Sequence, residues 1–267
     1  LGTYPGWRSL GVYCKYCKGY FRDPERGITK LNALLHNIEF NNCTVTAHEI
    51  ARLTGTIILM GLTFGTITRL WTRGLYHNMM STPSWSKTVQ LDDEAIKEIM
   101  FWSNSLEECH GQKIWLSNPQ PQILSHSDAS SSVLGGYCVQ IKGQVAMGAW
   151  TLDEANQSST WRELWGAHLV LSSFAQQLQG KEVRHRTDNK KVESGLQIGS
   201  PSKLIHDEVI AIFKLCQKWT IRLYLEWVTR ELNRGRLSFT PDAWGRLHVK
   251  PNIFCCLGHI KGCSHSR

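Results

Sequence analysis

The chain has 267 residues, of which 42% are hydrophobic and 19% are charged, so its composition is that of a folded globular protein rather than a disordered one. Its 30 basic and 22 acidic residues give a formal charge of +8, which favours a polyanionic partner, with nucleic acid ahead of an anionic membrane. The most apolar run, between Arg52 and Arg69, has 16 residues, whereas a membrane-spanning helix needs about 20. We therefore expect a buried core helix there and no membrane partner.

Cysteine usage bears on the cellular compartment. The first residues, Leu1 to Pro5, lack the basic and apolar regions of a secretory signal, and the nine cysteines are scattered. This favours reduced thiols and an intracellular protein, in the cytoplasm or nucleus. Two groups contain residue types that bind zinc: Cys14 with Cys17, and in the tail Cys255, Cys256, His259, Cys263 and His265. Their spacing matches no familiar tetrahedral site, so we expect thiols rather than a zinc centre.

Residues 27–116 have the periodicity of helices and favour a small all-α domain. Thr46 and Glu49 have the spacing of a capping box, which predicts that a helix begins there. No strand-like alternation interrupts this region. Three apolar faces are predicted, made in chain order by Leu31, Leu34, Leu35 and Ile38; by Ile50, Leu53 and Ile57; and by Ile96, Ile99 and Met100.

A loop rich in Asn, Pro and Gln over residues 116–122 predicts a domain boundary, and the pattern changes beyond it. The following elements are predicted in chain order: a strand over 123–128, a hairpin over 135–150 that turns near Lys142 and Gly143, a helix over 159–180, a strand over 181–188, a helix over 202–219 and a strand over 221–228. The buried side of the first helix is assigned to Leu164, Ala167, Leu171, Phe174 and Leu178. This order indicates an α/β domain with a mixed five-stranded sheet.

Three acids of this half stand where a catalytic role is possible. Asp128 ends the first strand, Glu163 lies in the first turns of the long helix, and Asp188 ends the fourth strand. If the two strands are parallel neighbours, both aspartates leave the same edge of the sheet, and the helix can bring Glu163 to them. Clustered carboxylates repel one another unless a cation neutralises them, and hard oxygen ligands select Mg²⁺ or Mn²⁺. Strand-end turns and helix starts also favour acids for structural reasons, so the residues alone leave both interpretations open.

Four segments of this half resemble the successive motifs of a type 1 ribonuclease H domain, in the version carried by DIRS-type retrotransposon polyproteins. They are HSDASSSVLGGYCV, WRELWGAHLVL, RHRTDNKKV and LEWVTRELN. The resemblance implies an endonuclease over residues 123–244 that cleaves the RNA strand of RNA–DNA hybrids by two-metal catalysis. It implies that Asp128, Glu163 and Asp188 are the catalytic metal ligands, with Mg²⁺ or Mn²⁺ as cofactor. The acid order differs from the integrase and transposase branch of the fold, in which both aspartates precede the glutamate.

The other half resembles the part of a reverse transcriptase that follows the polymerase palm. Residues 1–26 correspond to the end of the palm, residues 27–116 to the thumb and connection, and residues 245–267 to a truncated following segment. No Tyr-x-Asp-Asp motif occurs in the chain, so we expect no polymerase activity. The basic residues expected to face nucleic acid are Arg184, Arg186, Lys190, Lys191, Arg222, Arg230, Arg234 and Arg236. Most of the tryptophans Trp71, Trp85, Trp102 and Trp161 are expected in the core.

The chain departs from the ribonuclease H pattern at two places. Gly235 and Arg236 stand where the family has an Ala-Asp pair, so the fourth acid is missing. His185 stands where an inward-facing aliphatic residue is expected, and we interpret it as a packing residue. The alternative function is therefore a catalytically inactive nucleic-acid-binding module from a decayed element.

Overall fold

The structure is a computed structural model that describes residues 15–17, 20–22, 25–109, 112–113, 121–230, 232–233 and 254–255. The chain forms two compact units. The first comprises Leu1–Asn118 with Gln197–Gly199, and the second comprises Pro119–Leu196 with Ser200–Arg267. Among the described residues, no helix combines the length and the apolar character that crossing a membrane requires.

The first unit consists mainly of helices, with two small antiparallel sheets. Its elements are β1 (Lys15–Cys17), β2 (Tyr20–Arg22), α1 (Glu25–Phe40), β3 (Thr44–Thr46), α2 (Ala47–Leu59), α3 (Gly61–Phe64), α4 (Ile67–Leu70), α5 (Arg73–Ser81), β4 (Thr88–Gln90), α6 (Asp93–Cys109) and β5 (Gln112–Lys113). Strands β1, β2 and β5 form one sheet, and β3 pairs with β4 in the other. The three-residue strands β3 and β4 are an addition to the predicted helical region, because so short a segment shows no alternation.

The predicted start and inner face of α2 are confirmed. Thr46 accepts a hydrogen bond from the Glu49 amide at 3.2 Å, and the Glu49 carboxylate accepts one from the Thr46 amide at 2.8 Å, which completes the capping box. Ile50, Leu53 and Ile57 are fully buried. The apolar run that begins inside this helix therefore contributes to a protein core, as its composition predicted.

The prediction for α6 was wrong in one position. Met100 is 56% exposed, and the buried face is instead made by Ala95, Ile99, Trp102 and Leu106. Trp102 is fully buried and donates its indole N–H to the backbone oxygen of another residue in this unit, at 2.7 Å. Burying the large indole with its polar atom satisfied fixes the rotation of the helix, and this rotation turns Met100 outward.

Glu98 is a buried carboxylate on α6 that accepts hydrogen bonds from the first turn of α5. Its two oxygens lie 2.8 Å from the amide of Gly74 and 2.9 Å from the amide of Leu75. These amides have no partner within their own helix, so Glu98 satisfies donors that would otherwise be orphaned at the helix N-terminus. Burial nevertheless raises the pKa of Glu98 to about 7, against the opposing effect of these hydrogen bonds.

The second unit contains the predicted mixed sheet, and the α/β fold class is confirmed. Its elements are β6 (Ile123–Ala129), β7 (Val133–Cys138), β8 (Ala146–Ala149), α7 (Leu152–Ala155), α8 (Ser159–Ser173), α9 (Ala175–Leu178), β9 (Glu182–Thr187), α10 (Lys190–Ile198), α11 (Lys203–Lys218), β10 (Arg222–Trp227) and β11 (Phe254–Cys255). The sheet order is β10-β9-β6-β7-β8-β11. Strands β6, β9 and β10 are parallel, β7 runs antiparallel to β6 and β8, and two-residue β11 adds a sixth strand at the edge.

Helix α8 lies very close to the sheet, and glycines make this approach possible. A Cβ atom on Gly136 would lie 2.4 Å from Val170 Cγ2 and 2.1 Å from the His126 carbonyl oxygen, so no side chain fits there. Gly135 and Gly136 both lie inside β7, paired with β6, and the missing side chain of Gly136 serves the packing of the helix.

The predicted buried side of this helix is confirmed, although the helix is interrupted after Ser173. All five predicted side chains are at most 3% exposed: Leu164, Ala167, Leu171, Phe174 and Leu178. Gly180 then adopts a φ of +70°, a conformation that favours glycine and marks the end of the helical segment, as predicted.

His185 lies inside the sheet's core, where the sequence predicts a packing role. Its Nδ1 atom is 3.0 Å from Ser125 Oγ, and its Nε2 atom is 3.1 Å from Ser127 Oγ. All three side chains are buried, and burial is the main cause that lowers the pKa of His185 to about 3. The imidazole is therefore neutral at pH 7, and its two nitrogens connect β9 to β6 at two consecutive inward positions.

We predict that Glu98 makes the stability of the helical unit depend on pH. Its pKa is about 7 in the folded state and 4.5 ordinarily, with Asp92 adding a small upward effect. The folded state thus keeps a proton that the unfolded state releases, so the stabilisation is complete below pH 4.5 and is lost as the pH rises through 7. The change is on the order of 3 kcal/mol. Hydrogen exchange of the α5 and α6 amides, converted to opening free energies, measures it.

The Glu98→Gln variant should remove this pH dependence. Glu94→Gln is the matched control. Glu94 lies one turn before Glu98 on the same helix, and its carboxylate is partly exposed and paired with Lys97. This variant should retain the pH dependence. Equal pH profiles for the original chain and Glu98→Gln would contradict the assignment.

We predict that His185→Leu destabilises the second unit by about 2 to 4 kcal/mol, because it leaves two buried hydroxyl groups without their partner. Adding Ser125→Ala and Ser127→Ala should recover most of the loss, since the triple variant contains no unpaired polar group there. Urea midpoints of the three proteins measure the effect. A single variant as stable as the original chain would show that the hydrogen bonds contribute nothing.

Candidate active site

The pairing of β6 with β9 brings two of the predicted acids to the same edge of the sheet. The strands are parallel, and their register pairs Ile123 with Val183 and His126 with Arg186. Continuing this register by two positions places Asp128 level with Asp188, directly after β9 ends. Because parallel strands end at one edge, both carboxylates leave the sheet at neighbouring positions.

Helix α8 places Glu163 next to this edge. The helix begins at Ser159 and is capped by Ser158, whose side chain accepts a hydrogen bond from the Trp161 amide, and Glu163 is the fifth residue of the helix. One turn further on, a Cβ on Gly166 would lie 3.5 Å from Ser127 Cβ and 3.7 Å from the Asp128 carbonyl oxygen. Glu163 therefore lies one helical turn from a direct contact with the strand that carries Asp128.

The three acids influence one another electrostatically. Burial is the main cause that raises the pKa of Glu163 to about 7, and the negative charges of Asp188 and then Asp128 add to it. A side-chain hydrogen bond with Asn189 and the positive charge of Arg230 act in the opposite direction. All three acids are half-buried, and both aspartates are near enough to Glu163 to raise its pKa.

Three side chains that sequence reasoning did not assign to the site hold its groups in place. Asn233 Nδ2 lies 3.3 Å from Asp188 Oδ1, and Trp227 donates its indole N–H to the Asp188 carbonyl oxygen at 3.1 Å. Asn189 lies 3.4 Å from Thr160 Oγ1 on α8, close to Glu163. Asn189 and Asn233 lie in the motifs that carry the resemblance, so the sequence could have indicated a role for them. The contact of Trp227 with Asp188 arises only because the ends of β9 and β10 lie side by side.

The three carboxylates are of a chemical type that binds divalent cations, although they do not form a closed set of ligands around one point. Three carboxylates supply hard oxygen ligands, and their mutual repulsion is of the kind that a cation relieves. Within the described residues, no three acidic, histidine or cysteine side chains are grouped closely enough to hold a metal ion by themselves. Mg²⁺ is commonly bound by one or two carboxylates together with substrate phosphates, so an open arrangement agrees with that donor set.

The basic residues predicted to face nucleic acid fall into two groups. Three of the arginines are paired: Arg186 lies 2.8 Å and Arg184 lies 3.8 Å from Glu226, and Arg222 lies 2.9 Å from Glu182. Each of these arginines therefore has a glutamate partner within the sheet, with three positive charges set against two negative ones. The remaining described members are Lys190, Lys191 and Arg230.

Other sequence predictions have mixed outcomes. Trp71, Trp102 and Trp161 are buried as predicted, whereas Trp85 is 62% exposed. Gly235 and Arg236, where the fourth acid is missing, lie outside the described residues, and so does Arg234. The same holds for the two Cys and His groups, apart from the backbone of Cys17 and Cys255.

No protein-family model matches this chain, and no curated protein sequence is detectably similar to it. Among solved structures, the chain is similar to ribonuclease H1 from the halophilic archaeon Halobacterium salinarum NRC-1, with 16% identity and a TM-score of 0.37 over 46% of this chain and 98% of that chain. It is also similar to LC11-RNase H1 in complex with an RNA/DNA hybrid, with 14% identity and a TM-score of 0.35 over 42% of this chain and 87% of that chain.

A third similarity extends over most of the chain. The foamy viral protease-reverse transcriptase in complex with an RNA/DNA hybrid has 12% identity and a TM-score of 0.30, and the match covers 83% of this chain but only 30% of that chain. The chain therefore spans less than a third of the viral protein. Because identities and TM-scores are this low, the functional proposal below depends on the residues of the chain itself.

Proposed function

We propose that this chain is a retroelement-derived ribonuclease H-type endonuclease module, which cleaves the RNA strand of RNA–DNA hybrids. The parallel register of β6 and β9 carries the proposal: continued by two positions it brings Asp128 level with Asp188, and the charges of both raise the pKa of Glu163 on the helix packed beside the sheet. Like-charged groups gathered at one sheet edge are costly to keep without a function.

Asp128, Glu163 and Asp188 would hold Mg²⁺ or Mn²⁺. When bound, a pair of such cations supplies an activated water and stabilises the leaving oxygen of a phosphodiester. The chain's own residues orient the acids. Asn233 and Trp227 hold Asp188 from its side chain and its backbone, and Asn189 contacts Glu163 while bonding to helix α8.

The remainder of the chain fits a reverse-transcriptase context, which we propose on the sequence motifs. In this proposal residues 1–26 are the end of a palm, residues 27–116 are the thumb and connection, residues 123–244 are the nuclease and residues 245–267 begin a further segment. The motifs favour a DIRS-type element as the source. Polymerase activity is not expected, since the chain contains no Tyr-x-Asp-Asp motif.

We predict that the chain cleaves the RNA strand of a labelled RNA–DNA hybrid when Mg²⁺ or Mn²⁺ is added. Asp128→Asn, Glu163→Gln and Asp188→Asn should each lower single-turnover cleavage by a factor of about 100 or more, because each replaces a charged oxygen ligand with a neutral amide of the same size. Chelation of the metal with EDTA should abolish cleavage in the original chain, and re-addition of Mg²⁺ should restore it.

Asp207→Asn is the matched control, since it removes an exposed aspartate of α11 that pairs with Lys203. It should cleave at the original rate. Hybrid that stays intact with both metals would contradict the active-enzyme proposal. If the intact hybrid is nevertheless bound, and is bound equally by Asp128→Asn, the chain is an inactive nucleic-acid-binding module instead.

The inactive module is the second candidate, and the sequence gives it a specific basis. Arg236 stands where the ribonuclease H motif predicts an acid, and an arginine there would oppose cation binding. Comparing cleavage by the original chain with cleavage by Arg236→Asp separates the two functions. A large gain in cleavage favours a decayed nuclease, and equal cleavage by both proteins favours an enzyme that works with three acids.

A further inference from the structure

Lys190 and Trp227 form a cation–aromatic pair at the edge of the sheet where the acids lie. The Lys190 ammonium is 4.5 Å from the centre of the Trp227 ring. Trp227 ends β10, paired in register with Thr187, and its indole N–H is held by the Asp188 carbonyl oxygen. Lys190 begins α10 directly after Asp188 and Asn189. Lys190 is therefore linked to Asp188, a candidate catalytic acid, in two ways. It follows Asp188 in the chain after one residue, and its ammonium contacts Trp227, which is bonded to the Asp188 backbone.

The position of Lys190 runs against the local preference of a helix. The N-terminus of a helix carries a partial positive charge, so a lysine as its first residue is unfavourable. A second pair in the same unit shows the contrast. Lys218 lies 5.8 Å from the ring of Trp219, but it stands in the last turn of α11, where the helix favours a cation. The helix dipole therefore favours the position of Lys218, whereas it opposes the position of Lys190.

Lys190 also differs from the nearby arginines, each of which contacts a glutamate within the described part of the chain. Arg186 and Arg184 share Glu226, and Arg222 pairs with Glu182. Among the residues that the structure describes, Lys190 forms an ion pair with no carboxylate. The face of an aromatic ring attracts a cation without neutralising its charge, so the three N–H donors of the ammonium remain able to bind an anion.

We propose that Lys190, held over Trp227, binds a backbone phosphate of the nucleic-acid strand that lies against the acids. The inference rests on the proposed function, because it takes a nucleic acid as the occupant of this edge. Lys190 is a positioning residue: it fixes the strand beside Asp188 and takes no part in bond breaking. Phosphate is the same in every sequence and in both strand types, so this contact adds affinity without selecting bases.

The test measures binding separately from cleavage, in the full chain carrying Asp128→Asn. Affinity for a labelled RNA–DNA hybrid is determined between 50 and 200 mM KCl, conditions chosen because each phosphate contact adds to the dependence on salt. In this background Lys190→Ala should lower affinity at 50 mM by about threefold to tenfold, and should reduce the slope of log affinity against log salt by about 1. Lys190→Arg should retain the slope, since it keeps the charge.

Lys218→Ala is the matched control, because it removes an exposed lysine that also lies over a tryptophan in the same unit. It should change neither affinity nor slope. The melting temperatures separate binding from structure: Lys190→Ala should melt at the same or a higher temperature, and Lys218→Ala at the same or a lower one, because their helix ends have opposite polarity. A structural role for Lys190 would instead lower its melting temperature together with its affinity.

A variant of the aromatic partner tests the pairing itself. Trp227→Leu should lower affinity in the same direction as Lys190→Ala, and the double variant should lose less than the sum of the two effects, because both changes disrupt one contact. Additive losses would mean that the ring and the ammonium act on the nucleic acid separately, and would overturn the paired arrangement.

The failures of the two proposals are distinguishable. If neither the original chain nor the Asp128→Asn chain binds the hybrid, the proposed function fails. If the Asp128→Asn chain binds with a clear salt dependence, but Lys190→Ala has the original affinity and slope or Lys218→Ala is equally impaired, only the phosphate contact is overturned. Double-stranded DNA of the same sequence is a second arm, and an effect of Lys190→Ala confined to the hybrid would also overturn a contact to phosphate common to both.

Discussion

The close contact between helix α8 and the sheet is the constraint on which the candidate site depends. Gly136 leaves room for Val170, and at Gly166 the helix passes close to Ser127 and Asp128. A side chain at Gly136 would force the helix and the strand apart. Since Glu163 stands one turn before Gly166, such a shift would move it away from both aspartates. The packing of small residues is thus a condition for gathering the acids, although no glycine takes part in the chemistry.

The sequence predicted the strongly periodic elements and a mixed sheet, because burial repeats along them. It gave the parallel pairing of the strands that carry Asp128 and Asp188 only as a condition, and the structure meets that condition with the pairing of β6 and β9. It missed α10 and did not delimit α5 within the predicted helical region, because both are nine residues long and show few buried positions. The sequence analysis placed Met100 on the buried face of α6. The spacing of apolar residues does not show that the helix must be rotated so that Trp102 is buried, and this rotation exposes Met100. These failures concern three-dimensional packing, which local periodicity does not contain.

Polar side chains inside the two units are held by specific partners. Glu98 faces the orphan amides of a helix start, and His185 bonds to one serine through each ring nitrogen. Either residue alone in an apolar core would cost several kcal/mol, on the order of the penalty for an unpaired polar group. Both therefore have a structural explanation that is complete without a ligand. Unusual residue choice by itself is a poor guide to function in this chain.

The same reasoning narrows the nucleic-acid surface that the net charge of +8 suggests. Arg184, Arg186 and Arg222 contact the two glutamates Glu182 and Glu226 across β9 and β10, so these side chains contribute to strand pairing. Lys190 differs, because it stands at an unfavourable helix end and its contact is an uncharged ring. A local rule that stays violated after the partners within the described residues are counted favours a ligand. On this criterion the proposed phosphate contact lies at the edge of the sheet that carries the candidate acids, where Trp227 contacts both Lys190 and the Asp188 backbone.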